Sequence, residues 1–201
     1  VNSLGHNFKP LVKAVSSQAK KQIHVCNYFF TDIGVKYADE LLSATGFEGV
    51  FFGNSGAEAN EAAIKLARKF GQLNGGSKRK TIVTLEHSFH GRTMATLTAT
   101  GQDIFHPETF APYVEGFKTI KPNDYDSLKD AFDDTTAALM MECVQGEGGV
   151  FPLYKEWAKT AAEAARKAGA IVICDEVQTG MGRTGTLLAS EQLEIKPEVV
   201  T

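Results

Sequence analysis

The stretch Ala170-Ile171-Val172-Ile173-Cys174-Asp175-Glu176-Val177-Gln178 joins five apolar residues directly to two carboxylates, a valine and an amide. An apolar run of this length, rich in β-branched residues, predicts a strand buried on both faces. Similar runs occur at residues 50–52, 81–85 and 137–141, and polar or glycine-rich segments follow each of them. Polar groups therefore lie where the predicted strands end.

Helical spacing separates these runs, with apolar residues recurring every three or four positions. The predicted face of the first long helix, which Gly71 would end, consists of Ala59, Ala63, Leu66 and Phe70. The predicted face of a second helix, which Gly169 would end, consists of Trp157, Ala161, Ala164 and Ala168. Residues 10–21, 35–44 and 126–132 predict three further helices. The alternation predicts one domain of the α/β class, a mostly parallel sheet with helices on both faces.

The composition is that of a folded chain without a strong charge bias. Of 201 residues, 43% are hydrophobic and 22% are charged, which excludes a disordered chain. The net charge is −3 and the basic residues are scattered, so nucleic acid is not expected as a partner. We read neither a membrane span nor a signal peptide. Cys26, Cys143 and Cys174 have no C-x-x-C spacing, and we expect a reducing, intracellular compartment.

Residues 53–61, Gly-Asn-Ser-Gly-Ala-Glu-Ala-Asn-Glu, lead into the first long helix. Free N–H groups at a helix N-terminus can hold a phosphate, and Gly56 and Ala57 would let a ligand approach the backbone. The alternative is plain capping by Asn54 or Ser55, with Glu58 in the first turn. On the local pattern alone, capping is the stronger interpretation.

Residues 86–92, Glu-His-Ser-Phe-His-Gly-Arg, follow the run 81–85. Phe89 offers a flat apolar face to an aromatic ligand, and Arg92 offers a guanidinium to a carboxylate. A core phenylalanine beside a surface arginine is the alternative. No third ligand accompanies the two histidines of this segment, so we expect no metal there.

Two further polar segments end the remaining runs. In residues 142–149, Glu-Cys-Val-Gln-Gly-Glu-Gly-Gly, the glycines would let Glu147 and the backbone approach a ligand, and a plain glycine turn is the alternative. Asp175 needs a compensating partner such as a protonated ring nitrogen, unless it caps the next loop. The Gly-x-Gly-x-x-Gly pattern of residues 180–185 does not begin directly off a strand, and we discount it as a dinucleotide site.

Together these segments resemble the class III, fold type I aminotransferases, and among them the acetylornithine aminotransferases, along the whole chain. Residues 54–61, 89–93, 145–149 and 175–185 carry the resemblance. It implies a partial large domain of a fold type I PLP-dependent transferase, residues 1–201, without the N-terminal segment, the Schiff-base lysine and the small C-terminal domain. It also implies pyridoxal 5'-phosphate (PLP) as cofactor, an amino donor and 2-oxoglutarate as substrates, a role in arginine biosynthesis, and a homodimer in the full-length enzyme.

The resemblance further implies roles for individual residues. Those expected to contact the cofactor are Ser55, Gly56, Ala57, Phe89, His90, Asp175, Val177 and Gln178. The amides of Gly56 and Ala57 would hold the phosphate, and Asp175 would pair with the ring nitrogen. Arg92 would bind a substrate carboxylate. Glu147, which with Asp175 forms the expected catalytic pair, would engage an arginine outside this sequence.

The substrate and the state of the chain have alternatives. His90, where ornithine aminotransferases tend to carry tryptophan, favours N-acetylornithine, with succinylornithine, ornithine or 4-aminobutyrate left open. Cys143 stands where the family usually has proline. The 201 residues alone are expected to be inactive. A non-catalytic truncated module is the alternative function, and we expect a cytoplasmic protein, or a mitochondrial one in a eukaryote.

Overall fold

The computed structural model describes residues 2–26 and 28–201 of the chain. These residues fall into two units, one that extends to Phe51 and one that comprises Phe52–Thr201. In the part of the chain so described, no helix combines the length and apolar character needed to cross a membrane.

The first unit contains two helices, α1 (Lys9–Ala19) and α2 (Asp32–Thr45), which confirm the helices predicted at residues 10–21 and 35–44. Helix α2 begins earlier than its apolar pattern because the Thr31 hydroxyl accepts a hydrogen bond from the Gly34 amide at 3.0 Å. It ends at Gly46, whose φ of 75° is the left-handed conformation that favours glycine. No residue of either helix is buried.

The second unit is built on a five-stranded parallel sheet of order β2-β1-β3-β6-β7. The strands in the described residues are β1 (Thr81–Leu85), β2 (Phe117–Ile120), β3 (Thr136–Glu142), β4 (Val144–Gln145), β5 (Phe151–Pro152), β6 (Ile171–Asp175) and β7 (Val199–Val200). Strands β4 and β5 form a separate antiparallel pair. The predicted strands at residues 81–85, 137–141 and 170–174 are confirmed as β1, β3 and β6.

Helices cover both faces of this sheet, as predicted. They are α3 (Gly56–Gly75), α4 (Met94–Ala99) and α5 (Lys155–Lys167). Successive residues of a strand point to opposite faces, so Ile173 lies in one apolar core with Ile64 of α3, whereas Val172 lies in another with Trp157 of α5. The two cores explain why these strands are apolar almost throughout.

Two predicted elements are wrong. Residues 50–52 form no strand and are exposed. A strand needs neighbours for its backbone groups, and the strands of the sheet pair with one another without this segment. The helix expected at residues 126–132 is reduced to one 3₁₀ turn at Asp126–Leu128. The Ser127 hydroxyl donates to the carbonyls of Lys121 and Asp124, and such local bonds compete with a helix.

We predicted that helix α3 would end at Gly71, but it continues to Gly75. The next residue, Gly76, has a φ of 77°. The predicted face is also shifted, because Leu66 is 52% exposed. The buried residues of this helix are Asn60, Ala63, Ile64, Ala67 and Gly71. Gly71 allows close packing here, since a Cβ would lie 2.3 Å from the Arg79 carbonyl oxygen and 2.9 Å from Ala137 Cβ.

Gly71→Ala is therefore expected to destabilise the protein, although alanine is the better helix former. Both obstructing atoms belong to backbone or to a buried strand, so overpacking should lower the free energy of unfolding by about 1–3 kcal/mol. Urea unfolding measures the change. The control is Gln72→Ala at the exposed next position, which should stay within about 0.5 kcal/mol of wild type. Equal stabilities for the two variants would contradict the packing role of Gly71.

Candidate functional site

The carboxyl ends of β1, β3 and β6 lie side by side at one edge of the sheet. From β1 the chain passes first to β2 on one side and then to β3 on the other, and such a switch in strand order opens a crevice for ligands. Glu142 at the end of β3 is the register partner of Asp175 at the end of β6. The predicted polar segments therefore meet at one place.

Asp175 is the best-defined member of this site. Its side chain is 4% exposed, and the hydrogen-bond partners of its carboxylate come from Asn60, His90 and Val177. Oδ2 accepts from Asn60 Nδ2 at 2.8 Å and lies 2.7 Å from His90 Nδ1, while Oδ1 accepts from the Val177 amide at 3.1 Å. The bond to Val177 is the local cap considered above, and the other two reach distant parts of the chain. Donors compensate the buried carboxylate, as burial requires.

His90 is buried beside Asp175. A carboxylate only accepts, so the hydrogen lies on His90 Nδ1, and Nε2 has no hydrogen-bond partner among the described residues. The backbone amide of His90 donates to Thr100 Oγ1 at 3.0 Å. Within residues 2–26 and 28–201, no three His, Cys, Asp or Glu side chains are grouped to hold a metal ion. Its hydrogen bond to Oδ2 makes this histidine part of the environment of the Asp175 carboxylate.

The start of α3 shows both capping and free donors. Ser55 Oγ accepts from the Glu58 amide at 3.2 Å, and the Glu58 carboxylate accepts from the Asn54 amide at 2.6 Å, so the capping interpretation is confirmed. Capping leaves the amides of Gly56 and Ala57, which have no acceptor within the helix. A Cβ on Gly56 would lie 2.7 Å from the Val177 methyl groups, so this helix terminus packs against the segment that follows β6.

The segment after β1 is tied to α3 through a second carboxylate. Glu61 Oε1 accepts hydrogen bonds from the Thr93 hydroxyl at 2.5 Å and from the Ala95 amide at 3.2 Å, and so caps the start of α4. Glu61 lies on the first turns of α3. The residues between β1 and α4, which include Phe89 and Arg92, are therefore held against the same helix as the free amides.

Phe89 and Arg92 share an aromatic neighbour that sequence analysis missed. The ring of Phe105 packs edge-on to Phe89 with centroids 5.5 Å apart, and the Arg92 guanidinium lies 5.5 Å from the centre of the same ring. A cation above a ring is a favourable arrangement. Phe105 ends the short 3₁₀ turn Asp103–Phe105, which is too short to give a periodic pattern in the sequence.

Glu142 is a second residue that was left out of the predicted site. Its side chain is 3% exposed, and Oε2 accepts from the Phe89 amide at 2.9 Å. Burial raises the pKa of Glu142 to about 7, with the nearby Asp175 charge acting in the same direction and His90 opposing it. A carboxylate with this pKa exchanges its proton near neutral pH.

The glycine-rich loop brings Glu147 and Gln178 together. Gln178 Nε2 donates to Glu147 Oε1 at 3.2 Å, and a Cβ on Gly146 would lie 2.6 Å from Gln178 Oε1. A Cβ on Gly148 would lie 2.4 Å from the His87 carbonyl oxygen. Glycine is thus required for close packing of the loop, and the loop carries an exposed carboxylate at the same edge of the sheet.

The pattern at residues 180–185 does not introduce a helix. In the described chain it is followed by a loop and by the 3₁₀ turn Ala189–Glu191. The buried Glu176 carboxylate accepts from the amides of Ala189 and Ser190 at 2.7 and 2.8 Å and holds this loop. The geometry of a dinucleotide fingerprint, strand to glycine turn to helix, is missing here.

Fold and site together define a parallel α/β protein in which a helix N-terminus with free amides lies near a buried carboxylate at the strand ends. Comparison with known proteins gives the family. The chain belongs to the class-III aminotransferase family, whose sequence model matches residues 1–201.

Curated relatives include an acetylornithine aminotransferase of Caldanaerobacter subterraneus, 45% identical over all of this chain and 51% of its own length. Another acetylornithine aminotransferase, of Clostridium acetobutylicum, is 42% identical with the same coverage. The chain spans about half the length of the curated relatives it matches.

Solved structures show the same fold. An ornithine aminotransferase of Toxoplasma gondii superposes with a TM-score of 0.93 at 30% identity, over 98% of this chain and 48% of that one. An N-acetylornithine aminotransferase of Stenotrophomonas maltophilia superposes with a TM-score of 0.83 at 38% identity, over all of this chain and 50% of that one. These similarities confirm the predicted fold class and the family resemblance.

Proposed function

We propose that residues 1–201 are the cofactor-binding part of the large domain of a PLP-dependent aminotransferase, which exchanges an amino group between N-acetylornithine and 2-oxoglutarate in arginine biosynthesis. The observation that carries the proposal is the buried Asp175 carboxylate, held by donors from three segments at the carboxyl end of β6. The names of the curated relatives support the choice of substrate.

The residues present fit PLP. The cofactor carries a phosphate and a protonatable ring nitrogen, and the site has donors for the first and a carboxylate for the second. The amides of Gly56 and Ala57 are free of intrahelical acceptors, and no side chain could occupy position 56 beside Val177. When bound, PLP supplies an electron sink for the carbanion that forms when the substrate carbon loses a proton.

Each residue then has a defined task. Gly56 and Ala57 bind the phosphate with the positive end of the α3 dipole, beside Ser55. Asp175 holds the proton on the ring nitrogen, because a fixed negative charge nearby favours the protonated form. The remaining cofactor contacts that we propose are Phe89, His90, Val177 and Gln178.

Arg92 and Glu147 are assigned to the substrates. Arg92 binds a carboxylate of the amino donor through paired N–H groups, with Phe105 beneath its guanidinium. Glu147, which accepts from Gln178, is assigned to an arginine elsewhere in the enzyme that meets 2-oxoglutarate. The family membership alone supports our further proposals of a homodimeric full-length enzyme and of a location in the cytoplasm, or in the mitochondrial matrix of a eukaryote.

The test is to assay the full-length enzyme that carries this sequence against a panel of amino donors with 2-oxoglutarate. We expect N-acetylornithine to be preferred over ornithine, succinylornithine and 4-aminobutyrate. The 201-residue chain alone should show no turnover with added PLP, because the family resemblance assigns the Schiff-base lysine to none of its lysines. Preference for free ornithine or 4-aminobutyrate would contradict the substrate, and a complete enzyme without turnover would favour a non-catalytic module.

A further inference from the structure

Asn60 makes more hydrogen bonds to other segments than the neighbouring polar residues of the site, although the sequence analysis gave it no role within the motif of residues 54–61. Its side chain is 1% exposed. Nδ2 donates both to Asp175 Oδ2 and to the His90 carbonyl oxygen, each at 2.8 Å, and Oδ1 accepts from the Thr201 hydroxyl at 2.6 Å. The amide therefore uses both of its N–H groups and its oxygen inside the protein.

The chemistry of these partners fixes the orientation of the Asn60 amide. Asp175 Oδ2 and the His90 carbonyl oxygen can only accept hydrogen bonds, whereas the Thr201 hydroxyl can donate. In the flipped amide, Oδ1 would face two acceptor oxygens in a buried site and both of its N–H groups would lose these partners. Such a loss is costly where no water replaces it. The donor end of Asn60 is thus directed at Asp175.

Asn60 also connects the two ends of the cofactor site. It lies four residues after Gly56, and residues four apart lie one helical turn apart on the same face. The turn of α3 that carries the free amides is thus bonded directly to the carboxylate at the end of β6. Through the His90 carbonyl, the same amide fixes the segment that follows β1.

We propose that Asn60 is a positioning residue, which sets the direction of the Asp175 carboxylate relative to the phosphate-binding start of α3. The inference rests on the proposed function and goes beyond it, since the proposed function assigns Asn60 no contact with the cofactor. Without Asn60, Oδ2 keeps His90 and Oδ1 keeps the Val177 amide, so two donors in place of three fix the direction of the carboxylate. The charge facing the ring nitrogen is then less well placed, and the nitrogen holds its proton less firmly.

The experiment compares Asn60→Ala and Asn60→Leu in the full-length enzyme loaded with PLP. Loss of a hydrogen bond to a charged group should lower kcat about ten- to a hundredfold, while KM for the amino donor changes by less than about twofold. With PLP labelled by ¹⁵N in its ring, the chemical shift should move towards the unprotonated value in both variants. A residue needed only for folding would not change this signal in a folded variant.

Asn74→Ala is the matched control, because Asn74 lies on the same helix and donates only to the Phe70 carbonyl at 2.8 Å. It should keep the wild-type kcat and ¹⁵N shift. Asn60→Leu has a similar shape and adds no charge, so it supplies the test if the alanine variant does not fold. A folded Asn60 variant with wild-type kcat and ¹⁵N shift overturns the inference alone, whereas a wild-type enzyme that neither binds PLP nor transaminates overturns the proposed function with it.

Discussion

Asp175→Asn is expected to lower kcat of the full-length enzyme about a hundred- to a thousandfold, the range that follows loss of one electrostatic stabiliser from a preorganised site. The asparagine has no charge to keep the ring nitrogen protonated. The three groups that face the carboxylate are all donors, from Asn60, His90 and Val177. One of them would meet the new NH₂ group, which adds strain to the loss of charge.

The affinity for PLP should fall far less than kcat in this variant. The amides of Gly56 and Ala57 belong to α3 and are not touched by the substitution. Steady-state kinetics and equilibrium binding of PLP measure the two effects separately. Asp133→Asn is the control, since Asp133 accepts only from neighbours such as the Thr135 amide, and it should behave as wild type. Near-normal turnover of Asp175→Asn would refute the role of Asp175.

The central strands could be predicted because burial on both faces leaves a simple signature. Strands β1, β3 and β6 agree with their apolar runs to within one residue at each end. The C-terminal end of helix α5 was also predicted. Gly169, two residues after its last residue, has the left-handed φ of 82° that glycine favours. Such features depend on neighbouring residues and can be read locally.

The edges of the sheet could not be predicted in the same way. Strand β2 has half-exposed and exposed positions in its first three residues, and β7 has only two residues, so neither forms a continuous apolar run. Residues 50–52 show the converse, because an apolar run without a neighbouring strand stays outside the sheet. Pairing with a distant strand decides such elements, and it is not visible in the local sequence.

In the candidate site, too, some residues could be predicted from the local sequence and others could not. Residues at strand ends, such as Asp175 and Phe89, could be predicted from their position after an apolar run. Asn60 and Phe105 could not, because their roles arise from contacts across the fold. Asn60 reaches Asp175 across 115 positions of the chain, and in the sequence it is one polar residue in a helical pattern.

Glu142 should make the protein less stable as the pH rises. Its pKa is raised from 4.5 in the reference state to about 7 in the folded protein, chiefly by burial. Between these values the folded state binds more protons than the unfolded state, so the free energy of unfolding falls as pH rises through this window and levels off above it. The shift corresponds to about 3 kcal/mol across the window.

Glu142→Gln removes this proton and should flatten the dependence. The amide oxygen can still accept from the Phe89 amide, so the variant keeps the bond at 2.9 Å that holds the segment after β1. Urea unfolding at several values between about pH 5 and about pH 8 should show the stability of wild type falling relative to the variant by most of the 3 kcal/mol, whatever the constant offset between them.

Glu194→Gln is the control with the opposite sign. Hydrogen bonds from Lys155 and Lys159 lower the pKa of Glu194, so this exposed carboxylate contributes stability above its unfolded pKa that is lost as pH falls. Because solvent screens exposed pairs, its effect should be small and confined to acid pH. Stability curves of wild type and Glu142→Gln that stay parallel from about pH 5 to about pH 8 would show that Glu142 does not take up its proton in the folded protein near neutral pH. The buried carboxylate would then be ionised beside the Asp175 carboxylate.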